Sequence, residues 1–294
     1  MTTQEHAEKR ERINGVFSSQ EVKKVGTGTT TRKTIQKAFW FCIEQDGGMV
    51  EVQPLNPNYV PSGPKKSVSM EQFLSTFAPE PELYISSVYP KMRELNKTIA
   101  RAERHRNNKE HFSAEMEYNS ALKVDDENVR ASFGLGITYL DRGETSKADN
   151  IFERLVKLDA AFEPEHKHLF NEFGINLRKN GMVDQAVAYY SRALELATHD
   201  EHLYYNMARA YLEKKDIGHS LEYLLKSLEL NPTLEVSVKF LLWLVSKNLI
   251  PADQKAAVAA MLQKAKEAQK GGTPPPVSGQ PTPPAEGADA GKEA

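Results

Sequence analysis

A stretch rich in glycine and threonine, GTGTTTRKT at residues 26–34, is the first candidate for chemistry, because such stretches can bind phosphate. A phosphate-binding loop of the type G-x-x-x-x-G-K-[ST] follows a strand and opens a helix, so that backbone N–H groups surround the anion. Here Thr31 stands five positions after Gly26, where the second glycine belongs, and the stretch precedes a predicted strand. We therefore interpret it as a flexible lead into a hairpin and predict no nucleotide cofactor.

Histidine and cysteine offer the next candidates, a metal site and a nucleophile. His168 and His202 lie 34 positions apart in adjoining predicted helix pairs. Such pairs are about 9 to 10 Å apart, which is too far for two imidazoles to share a zinc ion directly. Cys42 is the only cysteine, so a CxxC metal site is excluded, and its apolar neighbours Phe41 and Ile43 favour a buried, inert thiol. We predict no metal site, no catalytic residues and no enzyme activity.

The composition is that of an ordinary globular protein, with 39% hydrophobic and 27% charged residues. The formal net charge of -2 gives no overall field that would attract nucleic acid. The first residues lack the apolar core of a secretory signal, and no run of about 18 apolar residues occurs anywhere. We therefore predict a cytoplasmic protein with neither a nucleic-acid partner nor a membrane partner.

Two segments at the ends of the chain have the composition of disordered regions. Residues 271–294 are rich in proline and glycine and contain no aromatic residue, so they cannot bury enough apolar surface to offset their ordering entropy. Residues 1–31 are polar and end in the glycine-threonine stretch, and we predict a flexible arm there. A short helix near 4–13 is compatible with that arm.

Residues 32–78 are predicted to form a β-hairpin followed by a short helix. Aromatic and β-branched residues flank the sequence Asp-Gly-Gly at 46–48, which is a turn signal and places strands near 33–45 and 49–55. Ser69, followed three residues later by Gln72, forms a capping box, and this pattern predicts a helix at 70–77.

Two strands alone are marginally stable in water. The hairpin segment should therefore dock on the first helices that follow it in the chain, pair with another copy of the protein, or add strands to a partner's sheet.

The region 79–270 contains a sequence period that indicates stacked helix pairs. Small residues recur at separations of 34, 38 and 34 positions, and three further columns keep the same separations. Where two helices cross closely, only Gly, Ala or Ser lets the backbones approach, and an aromatic side chain one turn later fills the adjacent space. The four columns are Ala102, Gly136, Gly174 and Ala208; Ala114, Ala148, Ala186 and Ser220; Tyr118, Phe152, Tyr190 and Leu224; and Ala121, Leu155, Ala193 and Ser227.

Each unit resembles a tetratricopeptide repeat, in which a small residue and an aromatic in the first helix precede alanine, aromatic, alanine and a closing proline. The resemblance covers about residues 95–234 and is clearest for the units that begin at Val129, Lys167 and Glu201. It implies a mostly α fold, a solenoid of helical hairpins to which the β-hairpin and the disordered tails are attached. An insertion at residues 163–166 should lengthen one turn of the array.

Two predicted helices follow Pro232. The sequence LEVSVKFLLWLVSKNLI reads as the first helix of a further unit, and PADQKAAVAAMLQKAKEAQK reads as a capping helix. A repeat array needs such a cap because its last apolar face has no neighbour. Trp243 is predicted to be part of that seal and also to continue the groove.

The resemblance further implies a concave groove, lined by the first helices, that binds an extended peptide or a partner's helix. The mixture of apolar, aromatic and cationic side chains at these positions predicts a ligand with apolar residues and some acidic character. Only Asn206 fits the residue set with which some relatives grip a terminal carboxylate, so we expect no such clamp. The groove positions are Arg130, Phe133, Ile137, His168, Asn171, Ile175, Arg178, His202, Tyr205, Asn206, Arg209 and Lys239.

These observations predict an adaptor or scaffold that binds a partner polypeptide in the groove. The alternative is a structural module that forms homo-oligomers through the N-terminal hairpin. A third possibility is that segments of the chain itself cover much of the groove.

Overall fold

The structure is a computed structural model, and it describes residues 11–25, 32–162, 164–196 and 199–270. The predicted tail at 271–294 and most of the predicted helix near 4–13 lie outside the described residues. The described part of the chain consists of an N-terminal β-sheet followed by stacked helix pairs.

The sheet has five antiparallel strands in the order β4-β3-β2-β1-β5, where sequence analysis expected two. The expectation of a flexible arm is wrong for residues 14–25, which form a long strand that pairs along its whole length with the next one. Its Val16 and Phe17 pair with Phe41 and Trp40, and this non-local pairing orders a segment whose own sequence is largely polar. The strands are β1 (Asn14–Val25), β2 (Arg32–Glu44), β3 (Met49–Pro54), β4 (Lys66–Ser69) and β5 (Ala78–Pro79).

A small core lies between one face of the sheet and helix α1 (Met70–Thr76). Cys42, Val52 and Phe73 are buried there, and burial raises the pKa of the Cys42 thiol to about 12. Ser69 caps α1 as predicted, because its side chain accepts a hydrogen bond of 3.2 Å from the backbone N–H of Gln72. The thiol is therefore protonated and enclosed, which fits an inert role.

The helical region begins with a short segment, α2 (Pro81–Leu83), and a π-turn at Tyr84–Val88. Five helix pairs follow. Two 3₁₀ turns, Asp159–Phe162 and Pro164–His166, lie between the second and third pairs, and the second of these turns lies within the predicted insertion. The pairs are α3 (Tyr89–Asn107) with α4 (His111–Val124), α5 (Val129–Asp141) with α6 (Thr145–Leu155), α7 (Lys167–Lys179) with α8 (Val183–Leu196), α9 (Glu201–Glu213) with α10 (Ile217–Leu230), and α11 (Glu235–Ser246) with α12 (Lys255–Lys270).

The predicted column of small residues lies in the core of the array. A Cβ atom at Gly174 would stand 2.5 Å from the ring of Tyr190, and one at Gly136 would stand 2.6 Å from Phe173. Ala208 is fully buried, and the hydroxyl of Ser220 donates a 2.8 Å hydrogen bond to its carbonyl oxygen. These close approaches are what the small residues permit.

Each helix pair turns on one residue in the left-handed backbone region. The predicted turns at Gly143 and Gly181 are confirmed, with φ of 73° and 78°. The other three pairs place a residue with a side chain at the same point, namely Lys109, Lys215 and Asn248, with φ of 66°, 61° and 54°.

The sheet docks on the array through the loop between β3 and β4. The Nδ2 atoms of Asn56 and Asn58 each donate a 2.9 Å hydrogen bond to the carbonyl oxygen of Val124, at the end of α4. Ser62 donates a 2.6 Å hydrogen bond to Asp125, and Asp125 is buried. The hairpin segment therefore docks on the helices of its own chain, which is one of the three arrangements that the sequence left open.

Candidate functional site

The groove face of the array is the face formed by the first helices of the pairs, α3, α5, α7, α9 and α11. All twelve predicted groove residues belong to this set of helices, but the structure divides them into two regions. The side chains on α5 are mostly buried, whereas those on α9 and α11 border an open cleft.

Helix α5 presents almost no surface to a partner. Phe133 and Ile137, which were expected to line the groove, have exposed fractions of 0% and 1%. The ring of Phe133 packs edge-on against Phe173 of α7, with centroids 5.6 Å apart, and against Tyr189 of α8 at 6.4 Å. This is a correction to the sequence analysis: at these two positions the apolar side chains are part of the core between neighbouring pairs.

Ion pairs join α3 to α7 and α3 to α5. Arg106 of α3 donates a 2.9 Å hydrogen bond to Glu172 of α7, so the helices on either side of α5 are joined directly. Arg130 of α5 makes two 2.6 Å hydrogen bonds to the carboxylate of Glu103, and these bonds raise the pKa of its guanidinium. Arg130 therefore already has an anionic partner within the chain. We call the region of α3, α5 and α7 the closed half.

The middle of the groove face is also largely occupied by its own contacts. Asn206 donates a 3.2 Å hydrogen bond to Asn171, and Arg178 forms an ion pair with Glu213. Ile175 is half-buried. His168 and His202 are exposed at the start of their helices.

An open cleft of about 370 Å³ lies between α9 and α11. The ring of Phe240 stands perpendicular to Tyr205, with centroids 6.1 Å apart, and Trp243 lies 6.2 Å from Phe240. These rings form an aromatic floor in which Trp243 is 42% exposed, whereas Phe240 is only 7% exposed and also packs in the core. The cleft, called here the α9–α11 cleft, is lined by Tyr205, Arg209, Leu212, Val236, Lys239, Phe240 and Trp243.

Two cations border the aromatic floor, and they differ in their contacts. The guanidinium of Arg209 lies 5.7 Å above the centre of the Phe240 ring and donates a 3.1 Å hydrogen bond to the hydroxyl of Tyr205. Lys239 forms an ion pair with Glu235, and this pair lowers the pKa of the carboxyl group. Among the described residues no carboxylate pairs with Arg209, so its charge is available to a ligand.

Trp243 does not seal the end of the array, as one part of the sequence analysis expected. Its side chain is 42% exposed and lies on the cleft side of α11. Val258 and Met261 of α12 cover the opposite side instead, where they pack in one cluster with Leu241. The cap is therefore aliphatic, and the tryptophan faces solvent.

Sequence analysis did not include three of the cleft residues among its groove positions. Leu212, Val236 and Phe240 were absent, although Val236, Phe240 and Trp243 follow one another at the i, i+4, i+7 spacing of a single helix face. That spacing was the available signal. It was obscured because Phe240 also packs in the core between the last helix pairs.

Other chemistry is not evident in the part of the chain that the structure describes. No group of three or more His, Cys, Asp or Glu side chains is placed to hold a metal ion there. None of the described helices combines the length and the apolar character that crossing a membrane requires.

Comparison with known proteins identifies the repeat. A family model described as the tetratricopeptide repeat matches residues 201–234, which contain α9 and α10. A protein of Hordeum vulgare named probable UDP-N-acetylglucosamine–peptide N-acetylglucosaminyltransferase SPINDLY is 26% identical over 99 residues. Those residues are 33% of this chain and 10% of that protein, so the chain spans about a tenth of the relative's length.

Solved structures of repeat proteins are similar to the chain at a low level. A MamA fragment from Desulfovibrio magneticus RS-1 is 17% identical with a TM-score of 0.42, covering 60% of this chain and 96% of that one. YrrB, described as a TPR protein with an unusual peptide-binding site, is 22% identical with a TM-score of 0.38, covering 52% and 79%. Pseudomonas aeruginosa PilF is 18% identical with a TM-score of 0.43, covering 61% and 78%. No functional assignment follows from values this low.

Proposed function

We propose that this tetratricopeptide repeat protein is a scaffold that binds a partner polypeptide in the α9–α11 cleft. The observation that supports the proposal is that Tyr205 and the exposed Trp243 border a cleft beside Arg209, which pairs with no carboxylate among the residues that the structure describes. Exposed aromatic and arginine side chains in a concave site are the residue types that dominate protein–protein binding energy. The closed half contributes support for the cleft and little contact surface of its own.

The ligand chemistry follows from the two kinds of group in the cleft. An apolar or proline side chain would pack between Tyr205 and Trp243, and a carboxylate one or two residues away would pair with Arg209. Partly buried arginine–carboxylate contacts give register and specificity in addition to affinity. The expected partner is therefore an extended segment with apolar residues and an acidic residue.

Capture of partners by the full chain, with quantitative mass spectrometry, tests this function. Trp243→Ala removes an aromatic wall of the cleft, and Arg209→Glu reverses its free charge. Leu242→Ala is the matched control, because Leu242 is 49% exposed on the same helix but does not line the cleft. We expect both cleft variants to lose the same partners by about tenfold or more, as hot-spot residues do, while the control retains them. Equal recovery with all three variants would rule out the cleft as the binding site.

Self-assembly is the second candidate function, and one observation favours it. An apolar groove of about 550 Å³ lies between β2 and the start of the helical region, lined by Phe41, Ile43, Tyr84 and Tyr89. Ile85 nearby is 71% exposed. If two copies meet there, sedimentation of the full chain should show an oligomer that Ile85→Ser converts to monomer; a monomer in both cases would eliminate this candidate.

The absence of catalysis, the cytoplasmic location and the lack of a nucleic-acid partner remain parts of the proposal. Fractionation of cells that express the tagged chain tests the location. A screen of metabolites and nucleotides for thermal stabilisation of the protein tests the other two.

A further inference from the structure

The composition of the chain after α12 matches the chemistry of the α9–α11 cleft. Residues 271–294 contain six prolines, three carboxylate side chains and one lysine. Proline-rich segments favour the polyproline II conformation and dock on surfaces lined by aromatic rings, because little conformational entropy is lost on binding. Three such rings line the cleft, of which Trp243 is the most exposed, Tyr205 is half-buried and Phe240 is largely buried.

The charges of the segment and the cleft are complementary. Glu286, Asp289 and Glu293 outweigh the single Lys292, which gives the segment a net charge of -2. In the cleft, Arg209 has no carboxylate partner among the residues that the structure describes. An acidic residue that follows a proline stretch would satisfy this guanidinium while the prolines contact the rings.

The segment starts at the correct end of the last helix pair to reach the cleft. Residues 247–254 join α11 to α12, and Val258 and Met261 of α12 pack in one cluster with Leu241 of α11. In an antiparallel helical hairpin, which a short connection favours, the end of the second helix lies towards the start of the first. Val236, in the first turn of α11, lines the cleft. A polyproline II segment of this length spans about 74 Å, at about 3.1 Å per residue, whereas a helix is only about 10 to 12 Å across.

We propose that the proline-rich segment 271–294 docks in the α9–α11 cleft of its own chain and competes there with partner polypeptides. The inference rests on the proposed function only in using the same cleft. Because the segment is tethered at Lys270, its effective concentration at the cleft is on the order of millimolar. A partner must therefore displace it, and the affinity of the unoccupied cleft is masked in the intact protein.

The test uses the full chain and a fluorescein-labelled synthetic peptide of residues 271–294, with binding followed by fluorescence anisotropy. A six-serine variant keeps the length of the segment and removes its prolines. We expect the peptide to bind this variant at least about tenfold more tightly than the unaltered chain, because the tethered competitor is lost. The variant carries Pro274→Ser, Pro275→Ser, Pro276→Ser, Pro281→Ser, Pro283→Ser and Pro284→Ser.

Two further changes in the six-serine background locate the peptide. Trp243→Ala should abolish peptide binding, and Leu242→Ala should leave it unchanged. With Trp40→Phe in both proteins, so that the tryptophan fluorescence comes from Trp243, acrylamide should also quench it more strongly in the six-serine variant than in the chain with its prolines. Equal peptide affinity for the six-serine and unaltered chains, or no binding to either, would overturn the proposal. An unaltered chain that sediments as a dimer and becomes monomeric with six serines would replace docking within one chain by exchange between two.

Two outcomes would separate docking of the segment from binding of a partner polypeptide. If the peptide does not bind but partner capture still depends on Trp243, the cleft is a binding site without an internal competitor. If the peptide binds in the cleft but captured partners are insensitive to Trp243→Ala, the cleft serves only its own segment.

Discussion

The closed half and the α9–α11 cleft use the same repeat and present opposite surfaces. Phe133 of α5 and Tyr205 of α9 occupy equivalent positions, 72 residues apart, yet Phe133 is fully buried and Tyr205 borders an open cleft. In the closed half, Arg106 and Glu172 join α3 to α7 across the face of α5. Across α9 and α11 no corresponding ion pair occurs between described residues, and the space between them stays open.

A residue's position in the repeat therefore does not by itself determine whether its side chain lines a groove. The face of each first helix is covered or exposed according to how closely the next pair packs. Close packing depends on which side chains fill the gap, and the aromatic cluster of Phe133, Phe173 and Tyr189 fills it in the closed half. Binding is therefore expected only where the array opens.

Alanine substitution at the two equivalent positions should give the largest difference in stability between the two regions. Phe133→Ala leaves a cavity in the core and should lower the free energy of unfolding by about 3 to 5 kcal/mol. Tyr205→Ala removes one edge-to-face aromatic contact and should lower it by only about 1 kcal/mol. Partner capture should change in the opposite sense, with a large loss for Tyr205→Ala. Chemical denaturation of each variant measures the stabilities, and similar losses in the two would remove the distinction between the regions.

Substitution of a glycine in the closed half should have the next largest effect on stability. A Cβ atom at Gly134 would overlap the ring of Tyr118, which is fully buried and cannot move aside. Gly134→Ala should therefore destabilise the protein by about 1 to 2 kcal/mol, even after the gain in helix propensity of about 1 kcal/mol.

Gly218→Ala is the matched control for that substitution. Gly218 lies in the first turn of α10, where an added Cβ atom would meet only Asp216, at 3.7 Å. The substitution Gly218→Ala should therefore stabilise the protein by about 0.5 kcal/mol. A Gly134→Ala variant that gains as much in a thermal melt would show that the close contact is not needed.

The ion pair across α5 should have a smaller effect. Glu172→Gln removes the charge that faces the partly buried Arg106, and the free energy of unfolding should fall by about 1 kcal/mol. Its counterpart in the open region, Glu235→Gln, breaks the exposed pair with Lys239 and should cause no measurable change. Urea titrations at low and high salt would detect the difference, and an equal response of the two variants would contradict it.

The turns of the two regions offer the smallest test. The pairs that include α5 and α7 turn on Gly143 and Gly181, whereas the pair that begins with α9 turns on Lys215 at φ of 61°. Lys215→Gly removes the left-handed strain of a residue with a Cβ atom, so stability should rise by about 0.5 kcal/mol after the entropy loss of glycine is subtracted. A decrease in melting temperature would mean that the lysine side chain makes a stabilising contact.

Local patterns were sufficient to predict the repeat and the first residues of α5, α7 and α9. The small-residue column, the turns at Gly143 and Gly181, and the hairpin strands all depend on neighbouring residues and were predicted correctly. Strand β1 was missed because its order comes from pairing with β2, which its own polar sequence does not indicate.

The site was harder to predict than the fold, for a related reason. Whether Ile137 or Arg209 faces solvent depends on the spacing between consecutive pairs, and no single helix encodes that spacing. The spacing arises from contacts such as those of Phe133 with Phe173 and Arg106 with Glu172. Of the predicted groove residues, Tyr205, Arg209 and Lys239 therefore remain in the proposed site, while Phe133 and Ile137 leave it.

Site-specific photo-crosslinking in the full chain would show directly whether a partner polypeptide lies in the α9–α11 cleft. A benzoylphenylalanine side chain is placed at position 243, inside the cleft, or at position 242, which is the neighbouring exposed position outside it. The account predicts covalent adducts between the partner polypeptide and position 243, with few or none from position 242. Adducts from position 242 alone, or equal yields from the two positions, would contradict it.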